Sequence, residues 1–147
     1  MTEKKLPRGI RNNNPGNIRL TSIAWRGQKK FQLDPDFVEF EAPVMGLRAM
    51  MRLLLTYYLR HQLDTVESII NRYAPPHENA TDSYAAAVAK ALGVRRRDPI
   101  DVTQPETLTA LARAITRHEN GHPPKTHGAD WYPAAFYDKA AILALKG

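Results

Sequence analysis

Glu119 is the residue best placed to do chemistry. The stretch Leu108–Pro124 reads LTALARAITRHENGHPP. Leu108, Leu111, Ala112 and Ile115 recur at helical spacing and form an apolar stripe. Glu119 follows Leu108 by eleven residues, so it points within about 20° of it. Gly121, Pro123 and Pro124 stop the helix just beyond. A carboxyl group at the buried edge of a helix C-terminus is desolvated and faces the negative end of the dipole. Both effects raise its pKa, which suits a general acid near neutral pH. The plain alternative is a surface glutamate at a frayed end.

The same residues spell a second pattern. His118-Glu119-Asn120-Gly121-His122 matches H-E-x-x-H, in which two histidines one turn apart bind zinc. That geometry needs a continuous helix through the second histidine. Gly121 weakens the helix, and Pro123 pushes His122 out of the α region. No metal and no other cofactor is expected, and a zinc metallopeptidase stays as an alternative.

A third cluster is Gly9-Ile10-Arg11-Asn12-Asn13-Asn14-Pro15-Gly16-Asn17-Ile18-Arg19. Its Asn, Pro and Gly content specifies tight turns. Asn13, Asn14 and Asn17 also carry donors and acceptors suited to sugar hydroxyls and acetamido groups. Turn chemistry alone explains them equally well.

These groups need elements to hold them. For the Glu119 helix, Thr103 is the expected N-cap, with Pro105 in the first turn and Glu106 closing a capping box. Gly46–Leu59 is apolar nearly all round and reads as the central buried helix. Asp64 and Glu67 suggest a capping box for a short helix through Tyr73. A helix from Asp82 to Leu92 closes at Gly93, and a last one runs from Pro133 to Leu145. Phe37-Val38-Glu39-Phe40-Glu41 alternates like a short strand. The expectation is a mainly α, α+β domain with five or six helices and one small irregular or β segment.

One domain is expected over residues 1–147, with 1–9 as a flexible lead. Hydrophobic content of 43% suffices for a core. A net charge of +6 and a pI near 9.7 favour an anionic partner: cell wall, membrane surface or nucleic acid. No nucleic-acid motif is evident, so no nucleic acid is expected. The run Arg95-Arg96-Arg97 reads as a solvated face. The absence of cysteine excludes disulfides and thiolate metal sites. MTEKKLPRG lacks the apolar core of a signal peptide, and no run is long enough to span a bilayer. The protein is expected to be made in the cytoplasm.

Several of these pieces together resemble the lysozyme-like peptidoglycan hydrolases. Ile115-Thr116-Arg117-His118-Glu119-Asn120-Gly121-His122-Pro123 resembles the I-x-x-E-S-G-F-x-P motif of lytic transglycosylases, with Asn120 where they often carry Ser. Asn13-Asn14-Pro15-Gly16-Asn17-Ile18-Arg19, Trp25-Arg26-Gly27 and Phe37-Val38-Glu39-Phe40 are similar to motifs of bacterial glucosaminidases. Tyr73-Ala74, the polar loop with Asn79, and Tyr84 follow the same pattern. RGIRNNNPGNIR, with YAPP and ENG downstream, also looks like phage and prophage virion or lysis proteins.

The resemblance implies cleavage of the β-1,4 bond between MurNAc and GlcNAc, by a lytic transglycosylase or muramidase. Glu119 would be the acid; Tyr73, Tyr84 and the asparagines would line the groove. Those families place the Glu helix first, so the resemblance implies a circularly permuted order. It also implies glycan strands as partner, with other virion or secretion components possible. Action on the wall would follow lysis or delivery in a virion. Glu78 and Asp82 stand as candidate bases should the enzyme hydrolyse. A non-enzymatic phage structural protein is the remaining alternative.

Overall fold

A computed structural model of the chain describes residues 6–76 and 80–147. Among these residues the order is α1 (Arg8–Arg11), α2 (Pro43–His61), α3 (Val66–Tyr73), α4 (Thr81–Leu92), α5 (Pro105–Asn120), a 3-10 turn (Lys125–His127) and α6 (Ala134–Lys146). The fold is mainly helical, as its periodicities imply. Two isolated antiparallel bridges, Arg19 with Phe37 and Gln28 with Phe40, stand where the alternating segment predicts a strand. No described helix is long and apolar enough to cross a membrane.

The α2 helix is the hub, packed against α3, α5 and α6. Pro43 sits in its first turn, where a missing N–H costs nothing. Gln62 ends it in the left-handed region, φ 57°. Leu47, Met50, Met51 and Leu54 are fully buried, joined by Ile69, Ile70, Leu108, Leu111 and Ile115. Each such side chain contributes roughly 1.5–3 kcal/mol of transfer free energy. A smaller core of Ile18, Val38, Phe40 and Ala49 lies under the irregular segment.

Gly46 joins the two cores. A Cβ there would stand 1.9 Å from the Asn13 carbonyl oxygen, so the asparagine loop rests directly on the α2 backbone. Only glycine permits that approach.

Several expectations need correction. Residues 8 and 9 are not a flexible lead: both belong to α1, and Gly9 is buried. Arg8 reaches the Asp34 carboxylate through Nε at 2.6 Å and Nη2 at 2.5 Å, a two-pronged pair that anchors the segment. The α5 helix is capped at Gln104 without a side-chain bond. Thr103 instead donates to Asp101 from its backbone and hydroxyl, forming a turn just before the helix. The capping box of α3 belongs to Thr65 and Ser68, one residue beyond the expected pair. The arginine run is also not simply a solvated face. Arg96 reaches Glu67 at 3.1 Å and Asp82 at 2.8 Å, and Arg97 reaches Glu67 at 2.8 Å, which ties α3 to α4.

Candidate active site

Glu119 occupies the last turn of α5 and is half-buried. It lines a cleft of about 360 Å³ together with Asn17, Tyr73, Arg72, Phe37 and Tyr57. Five separate parts of the chain thus converge: the asparagine loop, the segment at Phe37, α2 through Leu53 and Tyr57, the end of α3 and the end of α5. Glu119 is the only carboxylate lining the cleft among the described residues.

The Asn17 Nδ2 donates to Glu119 Oε1 at 2.9 Å. This bond fixes the carboxylate and leaves Oε2 for another partner. Asn17 adopts φ 49°, in the left-handed region that asparagine tolerates better than most residues. Across the cleft, the Tyr73 hydroxyl donates to the Gly16 carbonyl at 2.6 Å and holds the loop against α3. Burial first, and the Glu119 charge second, push the Tyr73 phenol well above its ordinary value. It therefore stays protonated and remains a donor at neutral pH.

Tyr84 lies behind this wall rather than in the cleft. Its ring is almost wholly buried and stacks on His118 with centroids 3.7 Å apart. Its hydroxyl is buried without a hydrogen bond of normal geometry. Burial and the charge of Glu119 raise this phenol as well. Tyr84 thus stands close to Glu119 with its phenol protonated.

The remaining asparagines build the loop. Asn14 is fully buried: its Nδ2 donates to Ile18 O at 3.0 Å and Val38 O at 2.9 Å, and its Oδ1 accepts from Ile18 N at 3.0 Å. Asn13 donates to Phe40 O at 3.1 Å. Asn120 is buried, with Nδ2 shared between Pro15 O and Thr116 O at 2.8 and 2.9 Å. None of these three lines the cleft. They connect the loop to the β-like segment and to α5. Asn79 and Glu78 lie outside the described residues. Asp82 is paired with Arg96 away from the cleft.

Gly9 completes the support. The Asn17 and Asn120 Oδ1 atoms are buried without an N–H or O–H donor. Both face Gly9, where a Cβ would stand 2.8 and 2.6 Å from them. Weak Cα–H···O contacts at a bare glycine suit this arrangement.

Sequence reasoning missed the cleft's aromatic and basic residues. Phe37 lies beneath two guanidinium groups, Arg8 at 4.6 Å and Arg19 at 5.2 Å from the ring centre. Arg72 covers Tyr57 at 5.3 Å. The alternation around Phe37 marked a strand, but nothing in it showed that Phe37 faces the cleft.

The histidines of the H-E-x-x-H pattern do not share a helix face. The α5 helix stops at Asn120, as Gly121 and the prolines imply. His118 rests on Tyr84, and the His122 ring lies against the Arg117 guanidinium. Among the described residues no three His, Cys, Asp or Glu side chains are grouped to hold a metal ion.

The chain is similar to Protein P5 of Pseudoalteromonas phage PM2. They are 40% identical over 132 residues, covering 84% of this chain and 81% of that protein. The chain belongs to the Protein P5 family. No family model matches the sequence. The link to a bacteriophage protein agrees with the phage resemblance of the asparagine loop. The name Protein P5 carries no chemistry, so any activity of the family must be argued from the cleft.

Proposed function

We propose that the protein cleaves peptidoglycan glycan strands at the β-1,4 bond between MurNAc and GlcNAc, as a lytic transglycosylase with Glu119 as acid and then base. The observation that carries this reading is one half-buried carboxylate in an open cleft, oriented by the Asn17 amide and facing no second acid among the cleft's described residues. Two-carboxylate glycosidases need a partner about 5–10 Å away. A lone carboxylate fits a reaction in which the substrate supplies the second group.

Glu119 gives its proton to the glycosidic oxygen as the C1–O bond breaks. The substrate's N-acetyl oxygen stabilises the cationic C1. The Glu119 carboxylate then takes the proton of the sugar's own C6 hydroxyl as O6 bonds to C1. The product is a 1,6-anhydro sugar, and the carboxyl group is restored. Asn17 holds Oε1 throughout, and Tyr73 keeps the loop beside α3. Phe37 and Tyr57 supply flat apolar surface for sugar rings, while Arg19 and Arg72 suit the acidic lactyl-peptide side of the strand.

A lysozyme-like fold in circularly permuted order, phage or prophage origin, and action on the wall after lysis or from a virion belong to the same proposal. The test is digestion of purified peptidoglycan by the wild type and by Glu119→Gln, with muropeptides identified by mass. Anhydro-muropeptides from the wild type alone would support the reading. Reducing-end products lost in the variant would make the enzyme a hydrolase at the same site. Equal digestion by both proteins would place the acid elsewhere, and no digestion by either would refute the enzymatic reading.

A further inference from the structure

A separate basic pocket lies on another face of α2. Arg48, Arg52 and Thr56 recur at intervals of four and form one stripe of the helix. Together with Trp25 and Arg26 from the irregular segment, and Gly147 just after α6, they line a depression of about 570 Å³ in which no Asp or Glu side chain takes part. It shares no lining residue with the Glu119 cleft.

Arg48 is the decisive residue. It is only 6% exposed, and its Nε–H is buried without an acceptor. Arg26, Arg48 and Arg52 form no ion pair among the described residues, whereas Arg8, Arg96, Arg97 and Arg113 each pair with a carboxylate. Arg52 uses Nη1 on the Ala144 carbonyl at 2.8 Å, which leaves its other donors available. Burial, then the charges of Arg26 and Arg52, push the Arg48 guanidinium below its ordinary value. A buried guanidinium without an Asp or Glu partner is destabilising, and like charges four residues apart on a helix add to the cost.

We propose that Arg26, Arg48 and Arg52 form a binding site for a phosphate group. Three guanidinium forks offer more donors and charge than one carboxylate can use. A phosphate supplies three or more acceptor oxygens and up to two negative charges, and it matches the planar fork geometry. The group can be free in solution or carried by an anionic lipid; the recognition chemistry is the same.

The test is titration of the full chain with inorganic phosphate at constant ionic strength, followed by calorimetry and thermal unfolding. Saturable binding and a phosphate-dependent rise in Tm are expected, with none for chloride. Arg48→Met should fold with unchanged or higher Tm in chloride, yet bind phosphate at least about tenfold more weakly. Arg26→Gln, at an exposed position, should also weaken binding and guards against a folding defect at Arg48. Phosphatidylcholine vesicles with and without phosphatidic acid form the second arm. Arg48-dependent binding to the acidic vesicles would mark a lipid-borne phosphate; phosphate binding without vesicle binding would mark a soluble one. Equal response to phosphate and chloride, or full phosphate binding by both variants, would overturn the proposal.

Discussion

Replacing Asn14 by alanine tests whether the asparagine loop is held by one buried amide. Asn14 is wholly buried and makes three hydrogen bonds to backbone. Their loss does not cost three equal amounts. The Ile18 carbonyl also accepts from Val38 N at 3.0 Å and keeps that partner. Ile18 N and Val38 O lose the bonds that Asn14 supplies. Each buried backbone group left unpaired costs about 1–3 kcal/mol. Asn14→Ala should therefore destabilise the fold by about 2–6 kcal/mol. For a chain of this size that is a fall in Tm of roughly 5–20 °C. Urea denaturation and calorimetry would measure both quantities. Asn14→Asp sharpens the argument. Its carboxylate would face the Ile18 and Val38 carbonyl oxygens, so folding would raise its pKa above the unfolded value of about 3.9. That variant should be most stable below about pH 4 and lose stability as pH rises through the folded pKa. A change under about 0.5 kcal/mol in Asn14→Ala, the range of ordinary surface substitutions, would refute the reasoning.

Three further outcomes are expected. Asn17→Gly keeps the backbone free to adopt the observed φ but removes the bond to Glu119; glycan cleavage should fall about 10–100-fold with little change in Tm. Acid should weaken the α1 anchor: the Arg8 guanidinium holds Asp34 far below the usual carboxylate range, so its stabilisation is complete above about pH 4 and declines as pH falls. In Arg8→Ala, stability measured across pH 2–5 should show a shallower slope. Gly46→Ala would place a methyl group against the Asn13 backbone, and thermal unfolding should show a loss of about 1–3 kcal/mol from the forced separation of loop and helix.

The helices were legible because each carries its own period and stop signals. Gly93 and Gly121 mark the ends of α4 and α5, and the apolar run around Met50 marks the central helix. The caps were less legible. Asp64 and Thr65 are both able to cap, and the choice depends on which residue the backbone leaves extended. Roles set by distant partners could not be read at all. Arg96 finds Glu67 across 29 residues, and nothing local distinguishes it from a solvated arginine. Glu119 stood out because helix periodicity and a stop signal agree on its position. The asparagines did not separate, since a turn former and a ligand-binding residue have the same side chain. Asn14 turns inward to Val38 and Asn17 outward to Glu119 in a loop held by Gly46, Tyr73 and Asn120, none of them its sequence neighbours.

The Asn17–Glu119 bond joins residues 102 positions apart. At a synthesis rate of about 5–20 residues per second, Asn17 is made roughly 5–20 s before its partner. During that interval the loop has no α5 to rest on, and Tyr73 has no acid beside it. The cleft is therefore a late product of translation rather than a feature that matures gradually. A nascent chain, or one broken before α5, carries the groove's other pieces without Glu119. Any role of the assembled cleft therefore begins only after α5 has been made and packed.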